Sequence, residues 1–585
     1  MQVWRRQKAG QRRGSVLALV VIIMVLLTMA GMAMLKVAEG RLQQAVRLQS
    51  QESAFSAAEA AYEKAIFWMS QQIDMQDALG GSGSSGALNF TESHADYSIH
   101  FSTFMGARPI YRVVANGYAG VYQKTISAYM VQAVSGWELG MCRSPSGPNS
   151  TIALSFVDGE IIDFPMHIND LHDSPDGRDI YISGSPDFLA HVSMGESRYT
   201  PGGSDKYKSV MNLFPEGVSF NQPSSRIVNP ASVSTKVDRF RDTTHPSYRF
   251  TPRIVRSIPK DKNGKNGFYN TVSETPAVQL KFYVKNGHGY VRIYNDCTAA
   301  VYTRAGSSDN TYDYCINTDS GSAYMKYPIY GCHYSTGAYT DVRIDDPTSS
   351  LYVRQDFGGV KSDPGAQIYV DGNVIIGCSQ EDAATLGTLN AVKGQLAVVA
   401  SGNIWMTNSL TVDGTRQADG MPAMDNPNII GLISQGVIKV ADPGMTTNDL
   451  LYQTSKFDAT DVSGYMPIGL KDGTKTYDRA LPATVTVEAA MTVGGGGWGA
   501  ENIDRSWSYP GRENFNGSRN DNLVIRGSLT EVMRGIVGSG GNGYLKNYYY
   551  DRRVMTGILP GNVWLKGKYL LIPGGWVETS TIRKD

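Results

Sequence analysis

Residues able to do chemistry crowd into one stretch of this chain, between Phe164 and Asp179. His167 and His172 stand there with Asp170, Asp173, Asp176 and Asp179, side chains that ligate metals or act as general acids and bases. The spacing speaks against both roles. Histidines five residues apart do not share a helix face. The surroundings read as turn-rich loop, where Asp is expected anyway because it bonds its own backbone. A glycosidase needs two carboxylates at a defined separation, and the turns account for the Asp run without one. The glycine run Gly494–Gly499 follows a strand but lacks the Lys and Ser/Thr that end a phosphate loop, so it reads as a flexible loop. No nucleophile elbow, zincin helix or EF-hand loop occurs in a convincing context. The expectation is a non-enzyme with no catalytic residue, metal or cofactor.

The thiols point the same way. Cys142, Cys297, Cys315, Cys332 and Cys378 form no CxxC pair, so a zinc or redox motif is not expected. Cys297, Cys315 and Cys332 share one loop-rich segment where a single bridge would fit. An odd count leaves at least one thiol free or intermolecular, and sequence does not fix the pairing.

The elements that carry these residues begin with the head of the chain. Residues 15–35 are twenty-one residues without a charge, preceded by Arg5, Arg6, Lys8, Arg12 and Arg13. As a helix they span about 32 Å, enough for a bilayer core. The basic tail should stay in the cytoplasm, with everything after Lys36 outside, where disulfides are permitted. Apolar positions continue at Leu42, Ala45, Val46 and Leu48, then Phe55, Ala58, Tyr62, Ala65, Ile66 and Met69, one stripe at helical spacing. A linker, Gly80–Gly86, follows. Three alternating strands come next, near Tyr97–Phe101, Ile110–Gly117 and Lys124–Val131, an antiparallel meander.

A chain of 585 residues exceeds one ordinary core. The 63 Gly and 33 Tyr suit a β-rich protein with many turns. The formal net charge is zero and no basic stripe is present, which argues against nucleic acid. Around Asn286-Gly287 the strands Leu280–Val284 and Tyr290–Tyr294 read as a hairpin. From Asp363 a short apolar strand, a Gly or Asn corner and a second strand recur, at 367–377, 394–406, 429–440, 483–493 and, weaker, 523–529. Repetition of that kind is how a β-solenoid is written, each coil burying its neighbour's apolar face. The irregular spacing predicts a right-handed β-helix with looped-out insertions.

Several segments together resemble the PilX-type minor pilins of type IV pili. Gly14-Ser15 stands at the junction of basic leader and apolar run, where that family's peptidase would cut. The stretch Gln51–Ala65, with Phe55 and Glu59, is similar to the family's Ala-rich helix. Phe164–Asp170 and Asp179–Phe188 are similar to the pattern that follows in that family. Gly527–Leu529, Val537-Gly538 and Gly543–Arg553 match its end motif, which reads here as a cap closing the last coil. One departure carries information. Major pilins bear a Glu at the fifth residue after the cut, which neutralises a neighbouring subunit's N-terminal amine. Counting from Ser15, that position is Leu19. A subunit with no neighbour ahead of it does not need the carboxylate, so the resemblance implies a tip or initiating position.

The resulting expectation is a mainly β protein with one long N-terminal α-helix: a pilin-like helix and meander, a β-rich region, then the right-handed β-helix or solenoid. The divisions are leader 1–14, transmembrane and assembly helix 15–75, linker and meander 76–135, short-strand region 136–260, a Tyr/Asn/Gly-rich insertion 261–362, β-helix-like domain 363–560 and tail 561–585. The implied role is priming, tip capping or surface adhesion by a minor pilin-like subunit of the inner membrane, its N-terminus inside. Its partners would be other pilins, pilus assembly components, the membrane through residues 15–35, and a surface polysaccharide or host or abiotic surface. The alternative is a membrane-anchored adhesin or a carbohydrate-binding or carbohydrate-degrading β-helix protein.

Overall fold

A computed structural model of the chain describes residues 13–72, 75–80, 83–106, 108–132, 137–141, 154–168, 180–182, 184–194, 200–201, 210–220, 230–254, 272–302, 316–318, 321–323, 329–334, 337–378, 382–441, 471–472, 475–476, 482, 484–495, 497–500, 521–533, 535, 537–539, 542–556 and 569–582. The fold is mainly β with one long N-terminal helix, α1 (Arg13–Gln71, 59 residues). No proline interrupts α1, and its Ala-rich second half has high helix propensity. At 1.5 Å per residue it is about 88 Å long.

The C-terminal half of α1 lies on an antiparallel sheet of strands β1 (Ser84–Asn89), β2 (His94–Met105), β3 (Arg108–Ala119) and β4 (Tyr122–Gln132). Register puts Tyr97 opposite Ala115, Ile99 opposite Val113, and Val113 opposite Ala128. These side chains share the face that α1 covers with Ala57, Ala58, Ala61, Ala65 and Met69. A fifth strand, Tyr569–Ile582, pairs antiparallel with β4 and completes the sheet. Residues read from sequence as a tail thus return to the first domain-sized unit of the chain.

A second body is built from parallel ladders. The strands Gly365–Val370, Gln395–Ala400, Ile429–Ser434, Ala490–Val493 and Asp521–Met533 pair in that order. A companion sheet pairs Asn373–Ile376, Ile404–Met406, Val437–Val440 and Gly497–Ala500, also parallel. The repeated units at 367–377, 394–406 and 429–440 each supply one strand to each sheet; the fourth gives Ala490–Val493 to the first sheet and is followed by Gly497–Ala500 in the companion, and the fifth contributes to the first sheet alone. Residues 366–370, 396–400 and 429–434 are buried throughout, as expected of parallel strands covered on both faces.

The turn between the two sheets repeats as well. The Asn373 side chain accepts from the Asn403 amide at 3.0 Å, and the Asn403 side chain accepts from the Val437 amide at 3.0 Å. Gly402 donates to Gly372, Gly436 to Gly402, and Gly495 to Gly436. A β-carbon on Gly402 would lie 2.6 Å from the Asn373 side-chain oxygen. The Gly-Asn corners seen in the sequence are therefore a stacked hydrogen-bond ladder that leaves no room for a larger residue.

The first parallel sheet is extended from both ends by distant segments. Trp137–Met141 pairs parallel with Asp521–Met533, then Met166–Ile168, Val192–Met194 and Val218-Ser219 add in turn. At the opposite edge Arg249-Phe250 pairs with Gly365–Val370. The hairpin Val272–Lys285 with His288–Tyr302 turns at Asn286 and Gly287, both at positive φ (53° and 77°) as a tight two-residue hairpin requires. It joins the companion sheet where Ala277 lies opposite Asn373.

Candidate functional site: the projecting helix and its seat

The predicted site residues Leu19, Phe55 and Glu59 all lie on α1, but in two different settings. Gly14 and Ser15 fall in its first turn. From Val16 to Leu48 the large apolar side chains are exposed, Leu19 at 57 %. The stretch has the length and apolarity of a membrane-crossing helix, and none of its apolar part is buried. Gly31 and Gly40 have no protein atom near the place of a β-carbon. Lys36, Glu39 and Arg41 end the uncharged run.

Phe55 sits about 54 Å further along. It is half-buried and packs against the α1–sheet core, while Glu59, one turn on, is exposed. The seat is made by small residues. Ala54, Ala57, Ala58, Ala61 and Ala65 are buried to 2 % exposure or less, so the helix backbone rides close to the strands. At Gly117 of β3 a β-carbon would overlap the Ala54 carbonyl oxygen and the Ala58 amide nitrogen. Tyr62 then meets Trp576 of the closing strand edge-on, ring centroids 5.1 Å apart, and its hydroxyl donates to the Met130 sulfur at 3.4 Å. Burial, with Glu63 adding to it, raises the Tyr62 pKa. Sequence reasoning missed Gly117 and Trp576 as seat residues. A lone glycine within a strand pattern was the available signal for the first; the second had none.

The stretch richest in candidate chemistry is split. Asp170, His172, Asp173, Asp176 and Asp179 lie outside the described residues. His167 is buried in the parallel sheet, its Nδ1 at 2.8 Å from Ser193 Oγ, which donates to the Met166 carbonyl. Among the described residues no three His, Cys, Asp or Glu side chains gather as metal ligands would. Cys142 and Cys315 are outside the described residues. Register sets Cys332 opposite Ala300, three positions beyond Cys297 on the neighbouring strand. Cys378 is buried, its thiol donating to the Phe282 carbonyl, and burial pushes its pKa up to about 11.

Charged side chains inside the parallel body serve neighbouring rungs. Glu488 receives both Nη atoms of Arg416 at 2.6 and 2.9 Å, Arg526 at 3.1 Å, and the Val412 amide. Lys546 donates to both oxygens of Glu160 at 2.9 and 3.1 Å, tying residues 386 positions apart. Arg553, 1 % exposed, binds Asp551 and reaches the carbonyls of Asn426 and Asn428. The end motif Gly543–Arg553 thus turns Tyr544, Lys546, Tyr548 and Tyr550 inward and clamps an adjacent loop.

No family model matches the chain, and no curated protein matches it. Among solved structures, the competence-associated pilin ComZ from Thermus thermophilus aligns with 91 % of this chain and 98 % of its own, at 10 % identity and a TM-score of 0.24. Superposition at that level does not establish a common fold.

Proposed function

We propose that this chain is a minor pilin-like subunit of a type IV pilus or related filament, held in the inner membrane before assembly and active in priming or tip capping. One observation carries the reading. A single continuous helix is exposed and apolar along its first half and seated on an antiparallel sheet along its second. Such a helix can leave a bilayer and enter a bundle of like helices while its sheet stays outside. The parallel ladders with stacked Gly-Asn corners are read as a right-handed β-helix that this helix carries outside the cell. Apolar side chains fill the interior, and the buried charges there are paired with each other, which favours a structural body over a catalytic one.

Leu19 favours the end of a filament. An apolar residue there supplies no partner for a neighbouring amine, and a buried unpaired amine is costly. The test is processing and partnership. Gly14→Val should block cleavage and leave an unprocessed band heavier by the leader, and the wild-type chain should co-purify with other pilins from crosslinked membranes. Unchanged mobility together with the absence of pilin partners would favour the plain membrane-anchored adhesin.

A further inference from the structure

The hairpin Val272–Lys285/His288–Tyr302 and the strand Thr340–Arg343 form a three-stranded surface with two contrasting faces. Leu280, Phe282, Val291 and Ile293 point into the main core. The opposite face places Tyr290 over the buried Tyr283, Lys281 beside Arg292 and Arg292 beside Asp341 in cross-strand register. Tyr283 and Tyr290 lie nearly parallel, centroids 5.4 Å apart, and Tyr294 and Tyr339 are 5.7 Å apart. Arg292 Cζ sits 3.7 Å from the Tyr339 ring centroid, and its Nε and Nη2 each reach Asp341 at 2.7 Å. Tyr339 is 52 % exposed. Arg292 stacks on the Tyr339 ring and Tyr294 packs against it at a tilt, and about half of the residue still meets solvent.

We propose that this face binds a neutral polysaccharide chain. The part-exposed rings of Tyr290, Tyr294 and Tyr339, with the Arg292 guanidinium and Asp341 carboxylate beside them, suit a ligand that has apolar ring faces and hydroxyl edges. Charge pairing selects neutrality. Lys281 is matched by Asp382 at 2.9 Å, Arg292 by Asp341, and Arg343 and His288 by Asp345 at 2.6 and 3.0 Å. An acidic ligand meets carboxylates wherever it meets a cation. Tyr290 and Tyr294 are four residues apart on one strand, about 13 Å, the reach of an oligosaccharide rather than a single sugar. Arg292 is the orienting group, because its fork is fixed by Asp341 before any ligand arrives.

The proposal rests on the reading above only in placing the β-rich part outside the cell. Binding by purified protein is independent of filament assembly, so the two fail separately. The detergent-purified full chain is titrated calorimetrically with β-1,4-linked glucose and N-acetylglucosamine hexasaccharides, with polygalacturonate as the acidic comparison. At least one neutral hexasaccharide should bind saturably, with the same affinity at low and high salt. Tyr339→Ala and Tyr339→Leu should each weaken it by about tenfold, and Tyr339→Phe should stay within about threefold. The Leu variant keeps apolar bulk, so a loss shared by both variants reports the ring and not misfolding. Failure of both neutral probes, full affinity in Tyr339→Ala and Tyr339→Leu, or binding of polygalacturonate alone and only at low salt would overturn the proposal.

Discussion

Gly117 of β3 lies directly beneath Ala54 of α1, so close that a β-carbon there would occupy the space of the Ala54 carbonyl oxygen. Backbone cannot yield as the end of a side chain can. Gly117→Ala must lift the helix or bend the strand, and overpacking of this kind costs about 1–3 kcal/mol. The expected result is a lower thermal midpoint and faster proteolysis between Gln51 and Met69. Gly120, on a turn with open space around it, is a poor comparison because its φ of 56° strains any other residue. Gly31→Ala is the suitable control for the seat, since nothing there is crowded.

The contact between Tyr62 and Trp576 makes the helix seat depend on the far end of the chain. Trp576→Ala should cost about 1–3 kcal/mol. It should also uncover Tyr62, whose pKa burial now raises above 10.0. The raised value means that the neutral phenol is favoured in the folded state. Its contribution is complete below pH 10 and is lost as pH rises further. Ultraviolet titration should show one tyrosine ionising earlier in the variant, with the alkaline fall in stability correspondingly reduced.

Lys546 and Glu160 are 4 % and 0 % exposed as side chains. Lys546→Met leaves a carboxylate buried without its cation and should destabilise by about 3–5 kcal/mol, read as a fall in denaturant midpoint. Adding Glu160→Leu removes the stranded charge. The double variant should recover most of the loss, because an apolar pair of similar volume replaces a desolvated ion pair at little net cost. Recovery below half would mean that the pair also orders the segments it joins, residues 154–164 and 542–550.

Cys378 offers a chemical clock for opening of the parallel body. Its pKa of about 11 against an ordinary 9.0 gives about a hundredfold less thiolate at pH 8 than an unfolded chain has. Burial slows attack further. Iodoacetamide should therefore leave Cys378 unmodified in the native protein and label it quickly in denaturant, with peptide mass mapping as the readout. Rapid native labelling would show that the hairpin separates from the rung at Asn373–Ile376.

Local signals account for what was legible in the sequence. The helix was written in an unbroken stripe from Val16 to Met69. The hairpin was written in Asn286-Gly287, where both residues take positive φ. The parallel rungs were written in apolar runs that meet at Gly372-Asn373 and Gly402-Asn403. Long-range pairing was not legible. Trp137–Met141 is five residues long and pairs with a strand nearly 400 positions away, which leaves no mark on its own composition. Tyr569–Ile582 was hidden for a different reason. Pro573-Gly574-Gly575 breaks its alternation, and the structure absorbs the break as a register shift between Ala128 and Met130. At the helix, the apolar and Ala-rich halves were both visible, but the tyrosine–tryptophan contact that locks the second half was not.

Leu19 is where the proposed filament position can be tested by gain as well as by loss. It lies 57 % exposed on the projecting half of α1, five residues after Gly14. In a subunit with a neighbour ahead, Leu19→Glu would supply the missing counter-charge and raise incorporation. In a subunit at a tip or in an initiating complex, the same carboxylate finds no amine. It then only adds an acidic group to an apolar helix, at about 2.5–3.5 kcal/mol near the bilayer centre and less toward the interface. The tip reading therefore expects Leu19→Glu to lower recovery of the chain with its pilin partners several-fold, while Leu19→Gln lowers it less and Leu19→Ile leaves it unchanged. Quantitative immunoblots of sheared filaments against membranes give the comparison. A rise in filament recovery for the Glu variant would move the subunit from the tip into the shaft, and the helix reading would survive without its terminal position.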